Sequence, residues 1–154
     1  METRFYGIIW HMENYVLLTA NAGLLLCING KKILIDALHS EQAPGFSCVP
    51  AGMQQQIIHG DGDFDYIDYF IITHNHPDHV SPVLACNFAR LHPETKIFAP
   101  MHIQNCEEMN ILSSASESFS FGSDTLYFRH TIHAGAEYRN VLNYSGIIDI
   151  DGTR

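Results

Sequence analysis

A histidine-rich segment at residues 73–79, with the sequence THNHPDH, limits the choice of fold more than any other part of this chain. The residues before it, Tyr66–Thr73, are mostly apolar and predict a buried strand. After it, Ser81 followed by Pro82 is typical of the cap and first turn of a helix, which we expect to continue to about Leu91. The sequence therefore predicts that the histidines lie between a buried strand and a capped helix.

The spacing within this segment favours metal binding. His74 and His76 are two residues apart at the end of a strand, so their side chains point to the same side and both can reach one ion. Asp78 and His79 follow Pro77 in the turn before the helix, where they can face a second position nearby. A single histidine at a strand end is usually an ordinary polar residue, but four potential ligands at this spacing rarely have a purely structural reason. Zinc accepts such a mixture of nitrogen and oxygen ligands, as do other borderline divalent ions.

The rest of the chain reads mostly as strands. Asn29-Gly30 between two apolar runs is the strongest short signal for a hairpin, and it predicts that Leu24–Ala37 folds as a β-hairpin with a type I′ turn. Strands are predicted at Arg4–Trp10, Tyr15–Ala20, Leu24–Ile28, Lys31–Ala37, Lys96–Ala99, Thr125–Ile132 and Val141–Ile150, and further helices at Met53–Ile58 and Ile103–Leu112. This order predicts an α+β fold in which one sheet packs on another with helices outside.

Composition limits the function classes. The chain has 154 residues, which favours a single domain over 1–154. Its net charge of -9 and the lack of a Lys/Arg cluster argue against nucleic acid as a partner. The longest apolar stretch, Ala20–Ile28, is too short to span a bilayer, so we expect no membrane segment. The four cysteines form no CxxC pair, which favours reduced thiols and a cytoplasmic location.

These motifs resemble those of a known family. THNHPDH, directly after DYFII, resembles the HxHxDH signature of the metallo-β-lactamase superfamily. The upstream run KKILIDA is similar to the early strand of that fold that ends in an aspartate supporting the metal loop. Downstream, HTIHAGAEY resembles the segment that supplies the third histidine of the first metal. The resemblance implies a metallo-β-lactamase-like αββα sandwich.

Carried over residue by residue, the resemblance implies two metal positions. His74, His76 and His133 would hold the first metal, and Asp78 and His79 the second.

Three further residues have a less direct role under the resemblance. Asp36 would support the metal loop by hydrogen bonding instead of binding an ion. His130 is the alternative third ligand, but His133 is preferred because it precedes Ala-Gly at a strand end. His39 lies in the long loop after Asp36 and could line the site. The remaining histidines (His11, His59, His92 and His102) are interpreted as ordinary polar residues.

The end of the chain departs from the family pattern. After the last strand the family has an aspartate that bridges the two metals and, later, a histidine for the second metal; neither has a counterpart here. Asp149 and Asp151 flank a strand and turn, and we interpret them as hairpin residues. The C-terminal portion of the fold is therefore expected to be missing or shortened. A truncated product, a short variant completed by another chain, and a binding module without catalysis all remain open.

The resemblance implies a metal-dependent hydrolase. Zn²⁺ is the expected metal, as one or two ions, with Fe or Mn as alternatives. Metal-activated water would attack a small-molecule ester, thioester, lactone or phosphoester, and Asp78 would help to orient it. The alternative is a catalytically inactive metal-binding or partner-binding module. An open sheet edge at Val141–Ile150 would favour a homo-oligomer.

Overall fold

The computed structural model describes residues 13–40, 44–103, 106–107 and 109–154, so the strand predicted at Arg4–Trp10 lies outside the described residues. The described strands are β1 (Tyr15–Leu18), β2 (Leu24–Ile28), β3 (Lys31–Ile35), β4 (Tyr69–Ile71), β5 (Lys96–Ala99), β6 (Met109–Ile111), β7 (Ser116–Phe121), β8 (Asp124–Thr131) and β9 (Asn143–Asp149). The α-helices are α1 (Ala51–His59) and α2 (Pro82–Leu91).

The first strands form the predicted hairpin. β2 and β3 pair antiparallel, and the turn between them has positive φ at both Asn29 (50°) and Gly30 (78°). Positive φ at both central residues defines a type I′ turn, so this prediction is confirmed. β1 pairs antiparallel with the other edge of β2.

The larger sheet has the order β1-β2-β3-β4-β5-β6, and the strands from β3 to β6 run parallel. Parallel neighbours need a crossover connection. α1 lies in the chain between β3 and β4, and α2 between β4 and β5. The carboxyl ends of β3 and β4 therefore meet at one edge of the sheet, with Asp36 directly after β3 and the histidine segment beginning two residues after the end of β4.

The smaller sheet, with the order β7-β8-β9, is antiparallel and packs on the larger one. Phe98 of β5 and Leu126 and Phe128 of β8 belong to the apolar cluster between the sheets. Within this interface the Tyr69 hydroxyl donates a 2.7 Å hydrogen bond to the buried carboxylate of Asp124. The opposite face of the larger sheet packs on the helices through a second apolar cluster, to which α1 contributes Ile57.

The described layers are therefore helices, a six-stranded sheet and a three-stranded sheet. The α+β class is confirmed, and the complete αββα sandwich stays a prediction. α2 begins where the sequence indicated, with the Ser81 side chain accepting a hydrogen bond from the backbone N–H of Leu84, and it ends at Leu91. Among the described residues, no helix has the length and apolar character needed to cross a bilayer.

The helix predicted at Ile103–Leu112 is wrong for the residues of that range that the structure describes. Met109–Ile111 forms β6, which pairs in parallel with β5, and the backbone N–H of Leu112 donates to the carbonyl of Ala99 at 2.8 Å. The pairing with β5 outweighs the helix-like apolar spacing, since local preference is weak against tertiary context. The strand predicted over Tyr66–Thr73 is shorter, because Tyr66 has a φ of 48° and is 88% exposed.

Candidate metal centre

Three imidazoles converge at the edge where β4 ends. The ring centroids of His74 and His76 are 4.8 Å apart, and that of His133 lies 4.9 Å from the first and 4.7 Å from the second. One ligand nitrogen from each ring lies within 4.8 Å of the others. His74 and His76 are two residues apart in the segment that follows β4. Their rings lie close together on the same side, as this spacing predicted.

β9 holds this arrangement together from the smaller sheet. The backbone N–H of Tyr144 donates to the carbonyl of Thr73 at 2.9 Å, and His74 forms an isolated antiparallel bridge with Asn143. His133 lies in the connection between β8 and β9. The hairpin that supplies His133 is therefore the same one that ties down the loop carrying His74.

His130, the alternative third ligand, lies elsewhere. It is on β8, its side chain is exposed, and its ring packs on Tyr144 with centroids 5.7 Å apart. The structure thus places His133, and not His130, beside His74 and His76.

Asp36 links the end of β3 to the histidine loop. Its carboxylate accepts hydrogen bonds from the backbone N–H of Thr73 at 2.8 Å and from the Thr73 hydroxyl at 2.6 Å. It also accepts one from Nδ1 of His79 at 3.0 Å. Asp36 is 3% exposed and has a φ of 46°, a left-handed conformation that aspartate tolerates better than most residues.

These contacts fix which nitrogen of each ring is protonated. The only Thr73 hydroxyl proton goes to Asp36, so Nδ1 of His74, 2.9 Å from the same hydroxyl oxygen, must donate to it. His133 Nδ1 likewise donates to the carbonyl of Ala134 at 2.7 Å. His79 Nδ1 donates to Asp36. In all three rings the lone pair is therefore on Nε2.

The Nε2 atom of His74 tests whether these residues suit a metal ion. It is buried and has no hydrogen-bond partner among the described residues. A buried polar atom without a partner is rare in folded proteins, because it loses its bonds to water without replacement. A cation coordinated by the lone pair would satisfy it, and three imidazoles are a ligand set that Zn²⁺ accepts.

The charge state of the rings agrees with this ligand set. Burial, and after it the neighbouring His79 ring, lowers the pKa of His74 to about 4. Burial also lowers the pKa of His76, with His133 adding to the effect. Neutral imidazole is the form that binds metal ions.

A second group of potential ligands lies beside the first and consists of Asp36, His74 and His79. The His74 and His79 ring centroids are 3.8 Å apart. Asp78 belongs to neither group found in the described part of the chain, although its carboxylate is near enough to His76 to oppose in part the lowering of the pKa of that ring by burial. Its assignment to the second metal stays a prediction. His39 is fully buried and also lies outside both groups.

Sequence reasoning did not identify Tyr138 as part of this site. Its ring centroid lies 4.9 Å from that of His76 and 5.2 Å from that of His133. The available signal was its position five residues after His133, within the same loop.

Comparison with known proteins supports the fold. No family model and no curated protein sequence matches the chain. A candidate metal-dependent hydrolase from Parabacteroides distasonis has a similar structure, with a TM-score of 0.62, 18% identity, and coverage of 90% of this chain and 57% of that one.

Two further structures are similar. A candidate metal-dependent hydrolase from Veillonella parvula has a TM-score of 0.59 and 19% identity over 90% of this chain and 58% of its own. The diiron β-hydroxylase CmlA from Streptomyces venezuelae has a TM-score of 0.52 and 18% identity over 88% of this chain and 27% of its own. The chain thus spans less than two thirds of the length of these proteins, and what it shares with them is the fold.

Proposed function

We propose that this chain is a metal-dependent hydrolase of the metallo-β-lactamase superfamily. The observation that supports it most is the convergence of His74, His76 and His133 around the buried, unpartnered Nε2 of His74. The similar folds of the two candidate hydrolases add weight at the level of the class.

When bound, Zn²⁺ or a related divalent ion supplies Lewis acidity and a water molecule whose pKa is lowered to about 7. The residues of the chain provide the geometry. Thr73 and Asp36 hold the His74 ring with its lone pair toward the other imidazoles. Burial keeps His74 neutral at physiological pH, so its lone pair remains available. Asp78, in the turn beside His76, would accept a proton from or orient the attacking water.

The substrate class proposed is a small ester, thioester, lactone or phosphoester. The net charge of -9 would repel a polyanion such as a nucleic acid, which supports a small molecule as the substrate. Fe and Mn remain alternative metals, since imidazole and carboxylate ligands bind them as well. A homo-oligomer through the edge of β9 is also proposed, and light scattering of the purified chain would test it.

The test compares hydrolysis of chromogenic ester, thioester and phosphodiester substrates by the parent chain, by His76→Ala and by His130→Ala. We expect the first variant to lose both bound zinc and turnover. The second removes an exposed histidine outside the cluster and should leave both unchanged. Parent-level hydrolysis by the His76→Ala variant would contradict the proposal.

A second candidate function is metal binding without catalysis. It is favoured by the position of Asp78 outside both ligand groups, and by a second group that shares His74 with the first. This candidate predicts bound zinc in the parent chain without turnover of any of these substrates.

A further inference from the structure

The four histidines of the centre are not oriented in the same way. His74, His79 and His133 each have Nδ1 fixed by a hydrogen bond to a hydroxyl, a carboxylate or a carbonyl. No hydrogen bond to the His76 ring is found within the part of the chain that the structure describes. Metal-binding histidines are usually oriented through the nitrogen that does not bind the ion. Among the described residues, the contacts of the His76 ring are aromatic ones.

Tyr138 packs against this ring. The planes of Tyr138 and His76 meet at 68° with centroids 4.9 Å apart, and those of Tyr138 and His133 meet at 67° with centroids 5.2 Å apart. Both are edge-to-face contacts at the distances that aromatic pairs favour. One phenol ring thus contacts two of the three converging imidazoles.

The loop before Tyr138 is built to accept the ring at this place. The backbone N–H of Tyr138 donates to the carbonyl of Gly135 at 3.1 Å. Gly135 has a φ of 95°, and a Cβ there would lie 3.0 Å from Cδ2 of Tyr138. A side chain at this position would be strained and would crowd the phenol ring, so glycine allows the close approach.

Burial does not explain the position of Tyr138. The residue is 41% exposed, so its ring is not a core side chain held by apolar packing on all sides. Its described ring contacts are with His76 and His133. Its hydroxyl takes part in no hydrogen bond among the described residues, and its contacts with the site are those of the ring.

We propose that Tyr138 is a positioning residue of the metal centre, whose ring holds the imidazoles of His76 and His133 so that their lone pairs face one ion. The proposal rests on the proposed metal-binding function and adds a residue to it. A ring that limits rotation of His76 reduces the conformational freedom that metal binding must otherwise remove.

The test measures zinc affinity by competition with a chromophoric chelator for the parent chain, Tyr138→Phe, Tyr138→Leu and Tyr138→Ala. We expect the phenylalanine variant to bind like the parent, because it keeps the ring. The leucine and alanine variants should bind about 10- to 100-fold more weakly, as is typical when an outer partner of a ligand is removed. Leucine keeps a bulky apolar side chain. A loss of zinc affinity in both the leucine and the alanine variant therefore assigns the effect to the aromatic ring.

Tyr127→Ala is the matched control, because Tyr127 is 44% exposed on β8 and has no ring contact with the described histidines. It should bind zinc like the parent. The free energy of unfolding, measured without metal, should be nearly equal for the Tyr138 variants and the parent, which separates positioning from folding. In nuclear magnetic resonance spectra without metal, the contribution of the ring at position 138 to the ring-current shift of the His76 imidazole protons should persist in Tyr138→Phe and be lost in Tyr138→Leu.

The outcomes separate this inference from the function on which it rests. Parent-level zinc affinity in both Tyr138→Leu and Tyr138→Ala would overturn the role of Tyr138 and leave the metal centre intact. Equal weakening in Tyr138→Phe and Tyr138→Ala would also overturn it, since the ring alone would not suffice. A parent chain that takes up no zinc would contradict the proposed function itself.

Discussion

The carboxylate of Asp36 accepts a hydrogen bond from Nδ1 of His79 at 3.0 Å, which connects the end of β3 to the turn before α2. The same carboxylate binds both the backbone and the hydroxyl of Thr73. One buried side chain therefore sets the orientation of His79 directly and that of His74 through Thr73. The centre depends on a residue that lies 38 positions before His74 in the chain.

Asp36→Asn should weaken zinc binding and stability together. Asparagine tolerates the left-handed backbone of this position, so the change mainly removes charge and acceptor capacity. We expect zinc affinity to fall about 10- to 100-fold, as for other outer partners of ligating histidines. The free energy of unfolding without metal should fall by about 1–3 kcal/mol, because buried donors lose their acceptor. Chelator competition and urea denaturation measure the two effects, and unchanged zinc affinity would contradict the assigned role.

Gly23→Ala should destabilise the chain, because it would displace the backbone turn at Asp36 and Ala37 that follows β3. A Cβ at Gly23 would overlap the Thr19 hydroxyl and lie 2.8 Å from both the carbonyl oxygen of Asp36 and Cα of Ala37. Since the last two are backbone atoms, relief requires the turn to move. We expect a loss of about 1–3 kcal/mol in the free energy of unfolding, as for other overpacked sites.

Gly52→Ala is the control for this prediction. Gly52 lies in the first turn of α1 and a Cβ there meets nothing within 4 Å, so alanine should leave the free energy of unfolding unchanged or raise it. Urea denaturation of both variants gives the comparison. A Gly23→Ala variant as stable as the parent would show that the turn has more room than the structure indicates.

Because the Cys106 thiol has a raised pKa, we expect the free energy of unfolding to fall at alkaline pH. Burial raises the pKa of Cys106 above its ordinary value of 9.0, and its hydrogen bond with Cys86 raises it further. A group with a raised pKa in the folded state contributes stability that is complete below the unfolded-state pKa and is lost as pH rises above it. The free energy of unfolding should therefore decrease above about pH 9, the region where an unfolded thiol ionises.

Cys106→Ala removes this titration and should show a smaller decrease between pH 8 and pH 10.5 than the parent. Urea denaturation at the two pH values checks it. An identical decrease in variant and parent would mean that other groups, such as Tyr69, whose pKa burial also raises, account for the whole effect.

The features that could be predicted from the sequence are those that neighbouring residues determine. The hairpin at Asn29-Gly30 and the cap at Ser81 follow from the conformations that a few adjacent residues prefer, and both are found. The convergence of His74 and His76 follows from their spacing after a strand. β7 is not among the strands predicted from the sequence, although its alternating sequence SESFSF has the period of two that is typical of a strand.

Other features depend on residues far apart in the chain. The segment around β6 is a strand because β5 lies beside it, and no local pattern reports that neighbour. His133 could be placed near His74 only through the family resemblance, because the two are brought together by the pairing of β8 with β9. The contact of Tyr138 with His76 likewise depends on the backbone at Gly135, which the order of residues does not reveal.

The zinc content per chain, measured by elemental analysis after addition of zinc and removal of excess, tests the three-histidine centre most directly. The parent and His130→Ala should retain about one ion per chain or more, as expected for a site of three imidazoles. His133→Ala should retain far less. A parent chain that retains no zinc, or zinc that is lost in His130→Ala and kept in His133→Ala, would contradict the account.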